Sequence, residues 1–189
     1  MFSSWLLALV LMTAGPRPTL ADIGPAPPTV LIDSAGKRFD IASLRGKVVL
    51  VSFVYTTCNG VCPATTQALT GIQKSLQEAK LWGTSVAFVS ITLDPKRDTP
   101  EVLGRYARLF GADASAWHFL TGPPATVEPA ITAWGMWVKS DSTGVLDHPS
   151  RIFLLDPHGH EREIYNLEFL KGETVLQDVR WLLAEEKKK

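Results

Sequence analysis

Buried strands and amphipathic helices alternate along this chain, and the spacing of apolar positions marks where each begins. Residues 48–55, VVLVSFVY, are continuously β-branched or aromatic, the pattern of a strand buried on both faces in a mostly parallel sheet. From Pro63 to about Trp82, the residues Leu69, Ile72, Leu76 and Ala79 recur at helical spacing and predict an amphipathic helix. SVAFVSITL, residues 85–93, predicts a second buried strand. In DTPEVLGRYARLF, Thr99 stands as an N-cap, Pro100 at the first helical position and Glu101 behind it, three start signals that agree. WHFLTG, residues 117–122, predicts a short strand, and ATVEPAITAW a helix interrupted or restarted near Pro129. SRIFLLDPHGHEREIYNL predicts a β-hairpin turning through Asp156, Pro157, His158 and Gly159, and GETVLQDVRWLLAEE a last helix. Strands that alternate with helices and finish in a hairpin plus a helix predict a three-layer α/β domain, a central sheet flanked by helices. DIGPAPPTV reads as an extended, proline-rich lead-in. No repeat or second composition regime follows, so one domain from about residue 28 is the economical organisation.

Composition changes this picture little. The chain has 189 residues, 46% hydrophobic and 20% charged, enough to bury a sizeable core without covalent staples. Its 19 Lys and Arg balance 19 Asp and Glu, which argues against a nucleic-acid groove or a polybasic membrane patch. The closing KKK reads as a solvated end.

The N-terminus matters more. An apolar run from Trp5 to about Ala14 is followed by Gly15 and Pro16 and then by Thr19-Leu20-Ala21, with small residues three and one positions before Asp22. This resembles a secretory signal peptide over residues 1–21; an uncleaved anchor is the alternative. The run is shorter than the roughly 20 residues that span a bilayer, and the first residues lack Lys and Arg, which weakens both readings. Cleavage would remove Arg17 alone among charged residues and leave 18 basic against 19 acidic. The chain is therefore expected to be exported, to a periplasm or cell envelope, where two thiols can close into a disulfide unless they are kept reduced or occupied.

Both cysteines, Cys58 and Cys62, lie in FVYTTCNGVCPAT, where the first buried strand gives way to its helix. Cys58 falls just beyond the strand's carboxyl end, where open α/β sheets place their sites. Cys62 falls at the helix start, with Pro63 at the first turn. Free N–H groups and the positive end of the helix dipole favour thiolate there, so both sulfurs are expected to be reactive and reachable, with pKa values below the roughly 8.5 of free cysteine. A four-residue helical offset puts Cβ atoms about 5–6 Å apart, against about 3.8 Å in a relaxed disulfide, a gap that a non-helical Cys58 could close. The same offset suits a metal held at about 2.3 Å from each sulfur, by analogy with zinc thiolates. The spacing thus leaves a redox couple and a metal site open.

Two thiolates need a further ligand, sought among four histidines. His118, beside Trp117 and Phe119, reads as an ordinary strand residue, and His158 and His160 as polar residues of the hairpin turn. His148, in VLDHPSRIFLLD, precedes a buried strand, and Pro149 holds its backbone extended. If that strand lies beside the first one, this loop overhangs the cysteine-bearing helix start; otherwise His148 is a plain loop residue. Asp94 could orient His148 from the end of the second strand, although Asp94 and Asp98 read more simply as a turn and helix-cap pair. Asp147 points away from the histidine if the backbone is extended.

FVYTTCNGVCPATTQAL, VSITLDPKRDTPEVL, FLTG and VLDHPSRIFLLDPHG resemble successive blocks of the Sco/SenC family of thioredoxin-like copper proteins, from about Pro28 to the C-terminal helix. The set is specific because a cysteine pair, an Asp-Pro-x-x-Asp-Thr-Pro block and a late Asp-His block occur in order. The resemblance implies a thioredoxin-like fold with a central mixed sheet over residues 22–189. It implies a copper site formed by Cys58, Cys62 and His148, holding Cu(I) or Cu(II), soft thiolates suiting the former and imidazole accommodating the latter. It also implies a metallochaperone role in assembling the dinuclear copper centre of a haem-copper (cytochrome c) oxidase. The partners would be the copper-receiving subunit, and another copper chaperone or a thiol reductant, with membrane contact only through the partner or an uncleaved N-terminus. Family members commonly carry a small hydroxyl residue where Pro149 stands, and many keep an N-terminal tether that this apolar run looks too short to supply. The alternative is a thiol:disulfide reductase cycling Cys58 and Cys62, although thioredoxin-type motifs have two intervening residues and this one has three. A thiol peroxidase and an inactive structural disulfide are weaker readings.

Overall fold

The computed structural model describes residues 20–58 and 60–187, so residues 1–19 of the expected 1–21 leader lie outside the described residues. Among the described residues there are ten strands: β1 Gly24–Pro25, β2 Val30–Asp33, β3 Arg38–Asp40, β4 Val48–Val54, β5 Val86–Thr92, β6 Trp117–Thr121, β7 Lys139–Ser140, β8 Leu146–Asp147, β9 Ile152–Leu155 and β10 His160–Tyr165. Four α-helices accompany them: α1 Val61–Glu78, α2 Pro100–Leu109, α3 Pro124–Ala133 and α4 Gly172–Glu186. Eight strands form one sheet in the order β1-β10-β9-β4-β5-β6-β2-β3, and β7 and β8 pair separately.

β4, β5 and β6 run parallel at the centre, while β9 and β10 return antiparallel on one side and β2 and β3 on the other. Every residue of β4 and β5 is buried, which explains why their sequences carry no alternation. The crossovers α1 and α2 pack on one face, where the Thr66 and Tyr106 hydroxyls meet at 2.9 Å, and α4 lies against α1. Across the sheet, Trp134 at the end of α3 packs edge-on against Phe53 and Phe153. The expected three-layer thioredoxin-like arrangement, with helices on both sides of a mixed sheet, is the one observed. No helix among the described residues is long and apolar enough to cross a membrane.

Three boundaries differ from the sequence expectation. α1 stops at Glu78 rather than Trp82, because Lys80 adopts φ 58° and the amides of Leu81 and Lys80 turn back to the carbonyls of Leu76 and Gln77. Ala79 therefore caps the helix and is not part of its buried stripe. Pro129 lies inside a continuous α3, where its ring costs one hydrogen bond to Ala125 without ending the helix. Pro63 is the third residue of α1 and not the first; its missing N–H is still one of the helix's unpaired initial donors. Thr99 caps α2 as expected, its hydroxyl accepting from Val102 N–H.

Candidate metal centre

The strand register brings the two parts of the site together. β9 runs antiparallel beside β4, with Val51 opposite Phe153, so the residues preceding Ile152 lie alongside the carboxyl end of β4. That is where the chain turns through Tyr55, Thr56 and Cys58 into α1, and it is why His148 meets a cysteine 86 positions earlier in the chain. His148 Nε2 stands 3.8 Å from Cys62 Sγ. Its Nδ1 is 2.9 Å from the carbonyl oxygen of Pro149. A carbonyl only accepts, so Nδ1 carries the proton and the Nε2 lone pair faces the sulfur. Imidazoles that bind metals are fixed in this way, with the remote nitrogen donating to an outer oxygen.

The two cysteines are not bonded to each other and are not equivalent. Cys62 is 2% exposed, whereas Cys58 is only half-buried. Burial opposes ionisation at Cys58, but the backbone N–H groups of Cys62 and Gly60, with bonds to the Cys62 thiol and the Tyr55 hydroxyl, outweigh it and hold the thiol below its ordinary value. The Cys62 N–H lies 3.5 Å from Cys58 Sγ, so the helix start supports Cys58 rather than Cys62. At Cys62, burial pushes the pKa up to about 12; the Tyr55 backbone offsets part of this, and the nearby Cys58 and Asp98 charges add to it. The expectation of two reachable, acidified sulfurs thus holds for Cys58 and fails for Cys62, whose sulfur lies under the first turn of α1. Among the described residues, no three His, Cys, Asp or Glu side chains are already gathered tightly enough to enclose an ion. Cys62 and His148 are paired, and Cys58 stands beside them, linked through the Cys62 amide.

Tyr55 and Thr56, which in the sequence are only the end of an apolar run and the first residue after it, hold this arrangement. The Tyr55 hydroxyl donates to the Leu146 carbonyl at 3.2 Å, and its ring meets His148 edge-on with centroids 5.7 Å apart. Burial, and then the contact with Cys58, pushes the Tyr55 pKa up to about 12. Asp98 accepts from the backbone and hydroxyl of Thr56 and from the Thr92 hydroxyl. It is therefore a buried tie between loop and sheet, and the helix-cap role expected of it belongs to Thr99. Asp94 pairs with Arg97 at 2.7 Å in the turn after β5, as the simpler reading expected, and makes no hydrogen bond to His148. Asp147 is exposed in β8.

The other histidines lie elsewhere. His118 sits in β6, half-buried against the Phe39 ring, and burial lowers its pKa. His158 and His160 remain at the hairpin, paired with Glu186 and Asp22.

The profile described as SCO1/SenC matches residues 26–184. Among curated relatives, the SCO1 protein homolog of Bacillus subtilis is 30% identical over 149 residues, 77% of this chain and 76% of that protein. The copper-bound structure of Bradyrhizobium japonicum ScoI superposes with a TM-score of 0.71 at 28% identity, covering 83% of this chain and 98% of that one. The structure of BsSco, a member of the Sco family of cytochrome c oxidase assembly proteins in which a disulfide switch was identified, gives a TM-score of 0.72 at 28% identity, over 84% of this chain and 92% of that one. With the profile spanning most of the sequence and the thioredoxin-like sheet placing a cysteine pair under a loop histidine, the chain belongs to the SCO1/SenC family.

Proposed function

We propose that this protein is a copper metallochaperone that binds one ion through Cys58, Cys62 and His148 and serves the assembly of the copper centre of a cytochrome c oxidase. The observation that carries the reading is the His148 Nε2 lone pair, fixed by the Pro149 carbonyl and aimed at the buried sulfur of Cys62. Two thiolates and an imidazole form a soft, low-coordinate set that suits Cu(I) and tolerates Cu(II). Copper is cargo here, not a resident cofactor. Half-exposure of Cys58 lets an incoming thiol reach the ion at one ligand while Cys62 and His148 still hold it. The copper-bound structure of Bradyrhizobium japonicum ScoI, and the membership of BsSco in a family of cytochrome c oxidase assembly proteins, support the same reading. The copper-receiving oxidase subunit is the proposed partner, and the N-terminal features support export to the periplasm or cell envelope.

A second reading is favoured by the asymmetry of the thiols. An accessible, acidified Cys58 backed by a buried Cys62 is the arrangement of an attacking and a resolving cysteine, so the pair could also act as a thiol:disulfide reductase.

Titration of the reduced protein with Cu(I) and Cu(II), wild type beside His148→Ala, tests the proposal. One ion per chain with Cu(II)–thiolate absorption is expected for wild type, with an affinity loss of more than about tenfold in the variant and little change in thiol–disulfide exchange. Absence of stoichiometric uptake by wild type would refute the copper reading.

A further inference from the structure

Asp98 is wholly buried at 0% exposure, and its charge is met by hydroxyls and one amide, with no Lys or Arg in hydrogen-bonding contact among the described residues. The neighbouring Arg97 pairs with Asp94 instead. A buried carboxylate without a cation is costly, and the local fold does not need one, since Thr99 caps α2 and Asp94 makes the turn. Its partners show where it acts. Thr92 Oγ1 accepts from Asp94 N–H at 2.9 Å, so its proton goes to Asp98 Oδ2 at 2.6 Å. Thr56 gives Asp98 both of its donors, the hydroxyl at 2.5 Å and the amide at 3.3 Å. Fixing the amide and the side chain of one residue leaves neither its backbone nor its stiff χ1 free. Thr56 lies two residues before Cys58, and the Cys58 N–H closes onto the Tyr55 carbonyl at 3.2 Å.

We propose that Asp98 is the positioning residue of the dithiol: it clamps Thr56 to the end of β5, so that the chain leaves β4 with Cys58 Sγ presented to Cys62 and His148. The metal side of this inference rests on the copper reading; the thiol side does not. Asp98 makes no hydrogen bond to either sulfur, and its hold on the position of Cys58 runs through Thr56. Loosening the clamp lowers the effective concentration of one thiol at the other and separates Cys58 from the other two ligands.

The test uses Asp98→Asn, Thr56→Val, which keeps shape and loses the hydroxyl, and Thr56→Ser, which keeps the hydroxyl. The first measurement needs no metal. Each protein is equilibrated with glutathione, the protein dithiol and one glutathione disulfide giving the protein disulfide and two glutathione thiols. Asp98→Asn and Thr56→Val are expected to lower that equilibrium constant about fivefold or more, with Thr56→Ser within about twofold of wild type. The second measurement is Cu(I) affinity in competition with bicinchoninate, expected to fall about tenfold in the first two variants and to be rescued by serine. Leu76→Ala, remote from the site, serves as the control that lowers the melting temperature without changing either constant. The inference is overturned if Asp98→Asn and Thr56→Val keep wild-type constants, if Thr56→Ser falls as far as valine, or if Leu76→Ala reproduces the losses. Should wild type bind no copper, the copper reading fails and the glutathione equilibrium still decides the role of Asp98.

Discussion

The inequality of the two cysteines makes a quantitative prediction. At pH 8, a Cys62 thiol with a pKa of about 12 is roughly one part in ten thousand thiolate. Cys58, held below 9.0, is at least about one-tenth thiolate under the same conditions. The thiolate populations thus differ about a thousandfold. Intrinsic nucleophilicity rises with pKa along a slope of about 0.4–0.5, which returns roughly 15- to 30-fold to Cys62 and leaves Cys58 faster by about 30-fold or more. Burial adds to this, because Cys62 is 2% exposed. Iodoacetamide should therefore modify Cys58 at least about 30-fold faster in the native, metal-free, reduced protein, as followed by peptide mass spectrometry over time. In urea the difference should collapse toward unity, since both causes belong to the folded state. Comparable native rates, or Cys62 reacting first, would refute the assignment of Cys58 as the more accessible and more acidic thiol.

Three further outcomes are expected. Leu76→Ala removes a side chain at 0% exposure between α1 and the sheet and should cost about 2–5 kcal/mol in urea unfolding, with the site unaffected. Tyr55→Phe removes the hydroxyl bond to Leu146 and should cost about 0.5–1.5 kcal/mol while broadening the His148 ring signals in NMR, since the carbonyl it releases lies two residues before the histidine. Asp178, buried beside Tyr165 and accepting its hydroxyl at 2.6 Å, has its pKa raised chiefly by burial. A folded-state value above the unfolded 3.8 means that its contribution is full at low pH and is lost as pH rises through the folded value. Asp178→Asn, neutral throughout, should gain on wild type between pH 4 and pH 7 in paired urea melts; a difference that does not move with pH would contradict the raised value.

What the sequence determined by itself is local. Unbroken apolar runs identified β4 and β5 because strands buried on both faces need no alternation, and Thr99-Pro100-Glu101 identified the start of α2 because its cap is made within four residues. The cysteine pair's place at a strand-to-helix junction, and the ordered blocks shared with the Sco/SenC family, pointed to the site without coordinates. The tertiary structure decided everything that depends on distant neighbours. Burial under α1 reversed the expected acidity of Cys62, which its place in a helix's first turn argued for. Lys80 ended α1 through a left-handed backbone that its side chain does not announce, and α3 absorbed Pro129. Asp98 read as a helix cap because its partners, Thr56 and Thr92, are 42 and 6 positions away and reach it only when β4 and β5 lie side by side. His148 became more than a loop histidine for the same reason: the antiparallel pairing of β9 with β4 carries it over Cys62, and no spacing along the chain encodes that register.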